Sequence, residues 1–522
     1  MSQQEASPYL DRRGFLLASG GAALVASPLS TAQAEENGIL LQPGKQNLYR
    51  VRMEVVMKGN VHVPSTSRAA RGKPLKLPID SKASFDFEER LHFQPSDHSP
   101  KGAAEPTTKG FTRQLATSAE RYYHLAKAQS MLNSKPHAIE LRDPVRDTMV
   151  RNGSHPERIS AFDDFFKRDE LELLRTPASS MAIDQLLPTA RVKVGSKYSV
   201  SSKSMASILN LDAAMDCEVQ AEVMSIDDDE VKVQLRGKID GAVEGVPTII
   251  RTVGKLTFDR KFKTCTWLAM GLHETREIGQ AEPGFDVSAT VQLMRQPLKA
   301  VIALPENART PKPGLPTGVD QQYVTIPSEK LGFEVVMDRR WRMMRDRTGS
   351  VMMRMVENDR TLCQCDIYAM TTPEGEQPWS LATFEANARI LLGDQFTEIA
   401  ESDEHLSDSG TRILTTIANG SAEGVPVRWI MMHLSSPNVD PIVATFTMEA
   451  SNIDAFGSSD MQFANSIQFR SDSAVISPQG EQEESAQSGK ISNRDDLSQN
   501  PGINAATPKQ ATDSISNANR VR

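Results

Sequence analysis

Apolar and polar residues alternate with a period of two along much of the first half of the chain. From Tyr49 to Met57 every second residue is apolar, while Arg50, Arg52 and Glu54 take intervening positions. This alternation is typical of strands with one buried face. Similar runs recur as far as Leu293, separated by short turns, so consecutive strands should pair antiparallel. We predict an antiparallel β-rich domain, either a curved sheet or a barrel-like one.

One predicted hairpin turns at the acidic sequence Asp227–Glu230. Its first strand carries Glu218 and Glu222 on the face opposite the apolar residues. Its second strand carries basic residues on that face, namely Lys232, Arg236 and Lys238. Opposite charges on neighbouring strands stabilise a sheet by roughly 0.2 to 1 kcal/mol per pair. We therefore expect ion pairs across this hairpin.

A more helical portion interrupts the predicted strands. It covers residues 161–188, and a second short helix is predicted near Ser204–Leu209. Apolar helix faces usually pack as core, so the first interpretation is a cap over the sheet. The alternative is a lid over an apolar ligand cavity.

The second half of the chain mixes strand and helix periods. Strand-like alternation runs from Gly332 to Met344, and a helix is predicted from Ser380 to Leu392. Ser380 can cap its N-terminus and Gly393 can end it. Further alternating runs follow, with a last helical stretch near Ile453–Phe463. The whole chain is therefore predicted to be α+β.

Three features of the second half resemble the PsbP-like family. They are the opening GFEVVMDRRW at Gly332–Trp341, the position of the central helix, and the closing ANSIQF at Ala464–Phe469. The resemblance covers nearly all of residues 323–470. It implies an α/β sandwich that binds a partner, because known members are binding or assembly proteins. No catalytic residues carry over.

The first half is similar to exported β-rich domains of unknown function in planctomycete-type bacteria. The similarity lies in DELELL at Asp169–Leu174, in Leu186–Gly195, and in EGVPTIIRTVGKLTFDR at Glu244–Arg260. It implies no activity. The tetrapeptide EGVP occurs again at Glu423–Pro426, and we predict a turn at both places because Gly and Pro separate alternating runs.

Composition divides the chain further. Residues 301–322 are rich in Pro and Gly, which favours a linker. Residues 471–522 contain no aromatic side chain and are mostly polar, so a disordered tail is predicted. The folded domains are then 47–300 and 323–470, after a spacer at 35–46.

Residues 1–34 have the order of an export signal. Arg12 and Arg13 precede a mildly apolar run that is too short to span a bilayer, and Ala32 and Ala34 form an A-x-A cleavage site. Arg12, Arg13, Phe15 and Leu16 resemble the core of a twin-arginine signal. A general secretory signal remains open. Either route predicts a periplasmic or otherwise exported protein without a permanent membrane span.

Charge and cysteine content exclude some classes. The net charge of -8 argues against a general nucleic-acid binder. Four cysteines are too few for a disulfide scaffold, although Cys217 and Cys265 could pair. Cys363 and Cys365 are a weak metal signal without a second ligand pair. The four tryptophans, at 267, 341, 379 and 429, are predicted to be core.

Motifs for catalysis are missing from the sequence. Neither G-x-S-x-G nor a phosphate-binding P-loop occurs. His273 begins a sequence resembling H-E-x-x-H but Glu277 replaces the second His, so a solvated edge histidine is predicted. The acidic run Asp227–Glu230 lacks the spaced ligands of a calcium loop. We predict no catalytic, metal or cofactor site.

These observations rank three functions. The first is an exported non-enzymatic binding or scaffold protein of the cell envelope, with an unknown protein or apolar small molecule as partner. The second is a carrier of an apolar small molecule or lipid in the first domain. The third is a hydrolase whose site, such as His273 with acidic neighbours, is assembled from distant residues.

Overall fold

The computed structural model describes residues 38–65, 73–93, 115–151, 156–307, 323–370, 379–437 and 439–470. The predicted signal residues Arg12, Arg13, Phe15 and Leu16 and the cleavage residues Ala32 and Ala34 lie outside these ranges. The predicted tail and residues 308–322 of the predicted linker also lie outside them. The described chain from Leu40 onward belongs to one compact unit.

Most of the described residues are in strands. In chain order these are β1 (Leu48–Val63), β2 (Leu75–Phe93), β3 (Ala116–Leu132), β4 (Lys135–Glu140), β5 (Asp147–Arg151), β6 (Arg158–Ala161), β7 (Phe166–Lys167), β8 (Lys197–Ser199), β9 (Ala213–Cys217), β10 (Gln220–Ile226), β11 (Glu230–Val243), β12 (Val246–Asp259), β13 (Thr264–Arg276), β14 (Gly284–Pro297), β15 (Tyr323–Ser328), β16 (Phe333–Asp338), β17 (Trp341–Arg347), β18 (Ser350–Glu357), β19 (Arg360–Ala369), β20 (Phe396–Leu406), β21 (Arg412–Ala422), β22 (Val425–Ser436), β23 (Val439–Glu449) and β24 (Gln468–Phe469).

The α-helices in the described part are short. They are α1 (Arg168–Leu174), α2 (Ser202–Leu209), α3 (Leu381–Leu392), α4 (Ile453–Phe456) and α5 (Ser459–Ser466). None of the described helices has the length and apolar character that crossing a membrane requires.

The first region forms a large antiparallel sheet in the order β6-β5-β3-β2-β1-β14-β13-β12-β11-β10-β8. Strand β4 pairs with β3, and β9 pairs with β11. The order begins at β6 and ends at β8, and these two strands do not pair with each other among the described residues. The sheet is therefore open, and the predicted predominance of antiparallel strands is confirmed.

The two faces of this sheet differ in the way the alternating pattern predicts. On β12, every second residue from Val246 to Leu256 is buried and most of those between are exposed. The inner face is covered by the helical insertion, in which α1 contacts β3, α2 contacts β11, and a 3₁₀ turn at Ile183–Leu186 contacts β13. The cap predicted from the sequence is the arrangement found, and the outward residues of β12 from Pro247 to Lys255 are exposed among the described residues.

The second region contains a seven-stranded antiparallel sheet in the order β17-β18-β19-β23-β22-β21-β20. Helix α3 packs on one face, where Phe384, Ala388 and Leu392 contact Trp429 and Met431. The predicted helix is confirmed together with its cap, because the hydroxyl of Ser380 accepts a hydrogen bond from the amide of Thr383 at 3.1 Å.

A third sheet joins the two regions. Its order is β24-β16-β15-β7, and β7 comes from the first region whereas the others come from the second. Strands β7 and β15 are parallel, with Phe166 opposite Val324 and Lys167 opposite Thr325. Sharing a sheet ties the two regions together through backbone hydrogen bonds.

Candidate functional site

The inner face of the large sheet carries a buried arginine, Arg121 on β3, between two carboxylates. Its Nε donates to Glu89 Oε1 at 2.8 Å, and its Nη2 lies 3.8 Å from Glu157 Oε2. Arg121 is 5% exposed and Glu89 is fully buried. Little water screens these charges, so each one depends on its neighbours in the fold.

Two serines connect this cluster to the segment that follows α1. We name residues 176–186 the strap. Ser180 Oγ donates to Glu89 Oε1 at 2.6 Å, and Arg121 Nη2 donates to Ser180 Oγ at 3.3 Å. Ser179 Oγ donates to Glu157. The strap is thereby hydrogen-bonded to charged side chains of the sheet's inner face.

The cluster contains one arginine and two carboxylates. Burial and the charges of these neighbours together shift the pKa of its members. Burial raises the pKa of Glu157, and Arg121 and the Ser179 hydroxyl offset this only in part. Burial alone would lower the pKa of Arg121, but Tyr123, Glu89 and Glu157 outweigh it and the net pKa is raised. Arg121 therefore stays charged, and burial favours the protonated form of Glu157 more than water would.

A cavity beside the cluster has a volume of about 20 Å³. Its lining is Met53, Phe85, Phe87, Arg121, Tyr123, Glu157, Leu174, Thr176, Ala178, Ser179, Ser180 and Leu293. This volume is close to that of one water molecule and far below the roughly 300 Å³ at which ligand pockets begin. The cavity does not provide the compartment that a lipid carrier needs.

A second arginine of the inner face, Arg295 on β14, holds the same strap. It donates to the carbonyls of Ser180 at 2.9 Å and Cys265 at 3.0 Å, and it also donates to Asp184 and Thr264. Arg295 is 1% exposed, so these partners replace its hydration. Both arginines therefore anchor the strap to the sheet through hydrogen bonds.

Glu88 on β2 binds the chain that leaves β14. Its carboxylate accepts hydrogen bonds from the amides of Ile302, Ala303 and Leu304 at 2.9 to 3.3 Å and contacts His124 Nε2 at 2.7 Å. Burial alone would raise the pKa of Glu88, but the amides and His124 outweigh it and lower the pKa. The described start of the predicted linker is thus attached to the sheet.

A charged cluster with the opposite balance lies between the two regions. Glu244 occupies the β11–β12 turn, where Oε1 lies 2.6 Å from Arg175 Nη1 and Oε2 lies 3.5 Å from Arg342 Nη2. Burial alone would raise the pKa of Glu244, but Arg175 and Arg342 outweigh it and lower the pKa to about 2. Arg342 lies on β17, so the pair links the second region to the first.

This cluster, which we name the inter-region cluster, contains four arginines. Its other members are Arg168, Glu172, Glu282 and Arg339. Burial lowers the pKa of Arg168 to about 10, with Glu172 opposing the shift and Arg342 adding to it. Arginine outnumbers glutamate here, whereas glutamate outnumbers arginine around Arg121.

On the outer face of the large sheet, three exposed cations of β1 and β2 have acidic partners. The pairs are Arg52 with Asp86 at 3.4 Å, Lys58 with Asp80 at 2.7 Å, and Lys82 with Glu54 at 3.5 Å. Each of these three cations therefore lies within ion-pair distance of a carboxylate.

On β11 and β12, Lys232 and Lys238 pair with Glu230 and Asp240, but three other cations differ. Arg236, Arg251 and Lys255 are exposed, and no ion pair or hydrogen bond joins their side chains to any described residue. They surround Val253, which is 58% exposed. Arg236 lies opposite Val253 across the strands, and Arg251 and Lys255 are two residues away on either side. We name these three residues the cation triad.

The prediction of ion pairs across the Asp227–Glu230 hairpin is wrong. The register places Glu222 opposite Gln234, and Glu222 pairs instead with Lys197 of the edge strand β8 at 3.7 Å. Lys232 pairs with Glu230 on its own strand at 2.6 Å. Arg236 faces Gln220 on β10, which leaves it without a carboxylate.

The histidine predicted at an edge lies on a central strand instead. His273 on β13 is half-exposed, its Nδ1 is 3.4 Å from Ser288 Oγ, and its Nε2 is 3.7 Å from Asp286 Oδ1. In a formed Ser-His-Asp triad both contacts are about 2.6 to 3.2 Å, although they are often longer without substrate. Both contacts of His273 are longer than this, and Glu277 takes no part in them.

The remaining candidates have structural roles. The acidic turn is closed by Asp227 Oδ1, which accepts from the amides of Asp229 and Glu230. All four cysteines are free thiols, and burial raises the pKa of Cys363 and Cys365 well above the usual thiol value. Within the described ranges, no group of three or more His, Cys, Asp or Glu could hold a metal.

Sequence reasoning missed the buried arginines, although a signal was present. Arg295 follows Val291 and Leu293 with the same period-two phase, so the alternation places it on the inner face. Arg121 likewise falls between Ala119 and Tyr123. A charged residue at a position whose neighbours two residues away are buried indicates a buried ion pair.

No protein-family model matches the chain, and no curated protein matches it. Among solved structures, one of lipid–protein interactions in lipovitellin has a TM-score of 0.26 at 9% identity and covers 51% of this chain; the chain spans only 27% of that protein. The translocator domain of the autotransporter NalP from Neisseria meningitidis has a TM-score of 0.10 at 5% identity, covering 78% and 88% of the two chains. Kievitone hydratase from Nectria haematococca has a TM-score of 0.12 at 9% identity, covering 79% and 91%. These scores are too low to support a functional argument.

Proposed function

We propose that this chain is an exported, non-enzymatic binding or scaffold protein of the bacterial cell envelope. The observation that carries the proposal is the exposed outer face of β11 and β12, where three cations that pair with no described side chain surround an exposed valine. An exposed, uncompensated charge costs little in water and is free to pair with a partner. The buried charges, in contrast, already form hydrogen bonds or ion pairs that hold the strap on the sheet or join the two regions.

The finer architecture is part of the same proposal. The first region would be an open curved sheet related to the exported β-rich domains, and the second a PsbP-like α/β sandwich. In support, helix α3 covers one face of the seven-stranded sheet and lies in the chain between strands β15–β19 and β20–β23, with α4 and α5 after them. Export is supported by Arg12, Arg13, Phe15, Leu16, Ala32 and Ala34 in the sequence.

Photo-crosslinking tests the binding function. Val253 is replaced with a photo-crosslinking amino acid in the full chain produced in a bacterial host, and Ile390 on the exposed side of α3 is replaced as the control. We expect an envelope adduct at position 253 that excess unlabelled chain removes, and none at position 390. Adducts at 253 no stronger than at 390 would contradict the proposal. Fractionation of the same cells tests export, because a chain retained in the cytoplasm is not an envelope protein.

A further inference from the structure

The outer face beside the cation triad contains a shallow trough. Strand β13 lies next to β12, and its outward residues Ala269 and Gly271 are small. Gly271 lies directly opposite Val253 on one side and Thr290 on the other. The two small residues form the floor of the trough beside Val253 and Lys255. At its other end the half-exposed ring of His273 lies between Arg251 and Ser288 and is 3.7 Å from Asp286.

The far wall of this trough is polar and uncharged. It consists of Ser288, Thr290 and Gln292, which are exposed and point outward on β14. Hydroxyl and amide side chains both donate and accept hydrogen bonds. They therefore suit a ligand whose surface also mixes donors and acceptors, such as the hydroxyl groups of a sugar.

An aromatic side chain ends the floor. Trp267 was expected in the core, but it is half-buried on the outward side of β13, opposite Thr257 and Met294. Trp341 and Trp429, in contrast, are 0% and 2% exposed. A half-exposed indole offers an apolar face with a polar N–H at its edge, which suits the apolar face of a sugar ring.

We propose that this trough binds a linear acidic polysaccharide, with the carboxylates of the polymer pairing to Arg236, Arg251 and Lys255. Along a strand, residues two apart are separated by about 6.8 Å, so the triad presents cations over roughly 13 Å. A chain of uronic acid units carries a carboxylate on each ring and hydroxyls on its flanks. Its charges face the triad while its hydroxyls face Ser288, Thr290 and Gln292.

The stacking surface and the setting favour a polysaccharide over other polyanions. A nucleic acid would also pair with the triad, but the one tryptophan beside the trough is a small platform for stacked bases. Acidic polysaccharides occur at the cell envelope, so the inference rests on the proposed envelope function and specifies its partner.

Binding of polygalacturonate by the full chain provides the test, measured by calorimetry in 50 mM salt with neutral dextran as the uncharged probe. The variant Arg236→Gln, Arg251→Gln, Lys255→Gln removes the triad. A matched variant, Arg52→Gln, Lys58→Gln, Lys82→Gln, removes three cations from the same face that already have acidic partners. We expect the triad variant to weaken binding roughly tenfold and the matched variant less than twofold, because each exposed pair contributes only a modest amount.

Several results would overturn the inference. They are no binding of polygalacturonate, equal weakening in both variants, or equally tight binding of single-stranded DNA or of phosphatidylglycerol vesicles. The last two would show recognition of charge alone. If polygalacturonate fails while position 253 still gives a specific crosslink, the binding function stands and only the polysaccharide is wrong. If both fail, the binding function falls with it.

Discussion

The tetrapeptide EGVP occurs in both regions, and its two copies have the same local structure in different surroundings. Glu244 and Gly245 join β11 to β12 with φ of 51° and 79°, and Glu423 and Gly424 join β21 to β22 with φ of 51° and 84°. Positive φ at both central residues is the geometry of a two-residue hairpin. The first turn is enclosed between the two regions, whereas the second is exposed. Local sequence therefore specifies the turn but not its energetic role.

The surroundings change what each residue does. An added Cβ at Gly245 would lie 2.4 Å from the backbone of Asn358, whereas at Gly424 it meets nothing within 4 Å. Glu244 is part of the inter-region cluster, and Glu423 is exposed. Substitutions at equivalent positions of the two turns therefore separate the intrinsic cost of the turn from the contribution of contacts between the regions.

The largest expected effect is that of Gly245→Ala. Replacing either glycine with alanine introduces about 1 kcal/mol of backbone strain, because φ is positive at both positions. At Gly245 the new methyl group also displaces the backbone of the second region, which adds up to about 3 kcal/mol. We expect Gly245→Ala to lower the free energy of unfolding by roughly 4 kcal/mol and Gly424→Ala by about 1 kcal/mol, measured by urea denaturation. Equal losses would mean that the regions do not meet at this turn.

A second matched pair of substitutions, at Glu244 and Glu423, tests how much the charge of the first turn stabilises the fold. Lowering the pKa of Glu244 from 4.5 to about 2 corresponds to a contribution on the order of 3 kcal/mol at neutral pH. Glu244→Gln should remove most of it, and Glu423→Gln should change stability by less than about 0.5 kcal/mol. Because the folded pKa is the lower one, the contribution is present above pH 4.5 and is lost as the pH falls towards 2. Denaturation curves at several pH values check this, and a pH-independent difference would contradict it.

The third pair concerns packing. Val246 is 1% exposed and Val425 is 40% exposed. Truncating a buried valine removes two methyl groups and leaves a cavity, which costs about 2 kcal/mol. We expect Val246→Ala to cost that amount and Val425→Ala to cost less than about 0.5 kcal/mol in the same assay. A larger effect at Val425 would show that the exposed turn has a contact partner of its own.

The smallest expected effect is that of a substitution at Glu157, whose pKa is shifted in the direction opposite to that of Glu244. Burial raises the pKa of Glu157, so the folded state favours its protonated form. The stability it contributes is complete below pH 4.5 and is lost as the pH rises through the folded pKa. Glu157→Gln should therefore stabilise the protein by about 1 kcal/mol or less at pH 7, with no difference at pH 4. Destabilisation at pH 7 would mean that Arg121 needs the charge of Glu157.

Much of the architecture was predictable because it depends on local patterns. Period-two alternation located most strands of the large sheet, and the N-cap Ser380 located the start of α3. The candidate surface was less predictable. The position of Arg236 on an outward face follows from alternation, but its lack of a partner depends on the register of β10 and on Lys197 from β8.

Sequence alone determined the hairpin turns and the amphipathic strands, because these follow from backbone preferences and from the spacing of apolar residues over a few positions. Only the tertiary structure decided which of the two EGVP turns is partly buried and which carboxylate is stabilised as an anion. It also decided which cations of an open sheet are left unpaired. Those outcomes depend on groups far apart in the chain, whose distances set desolvation and Coulomb energies. Glu244 and Glu423 have the same local sequence, and only Glu244 has two arginines beside it.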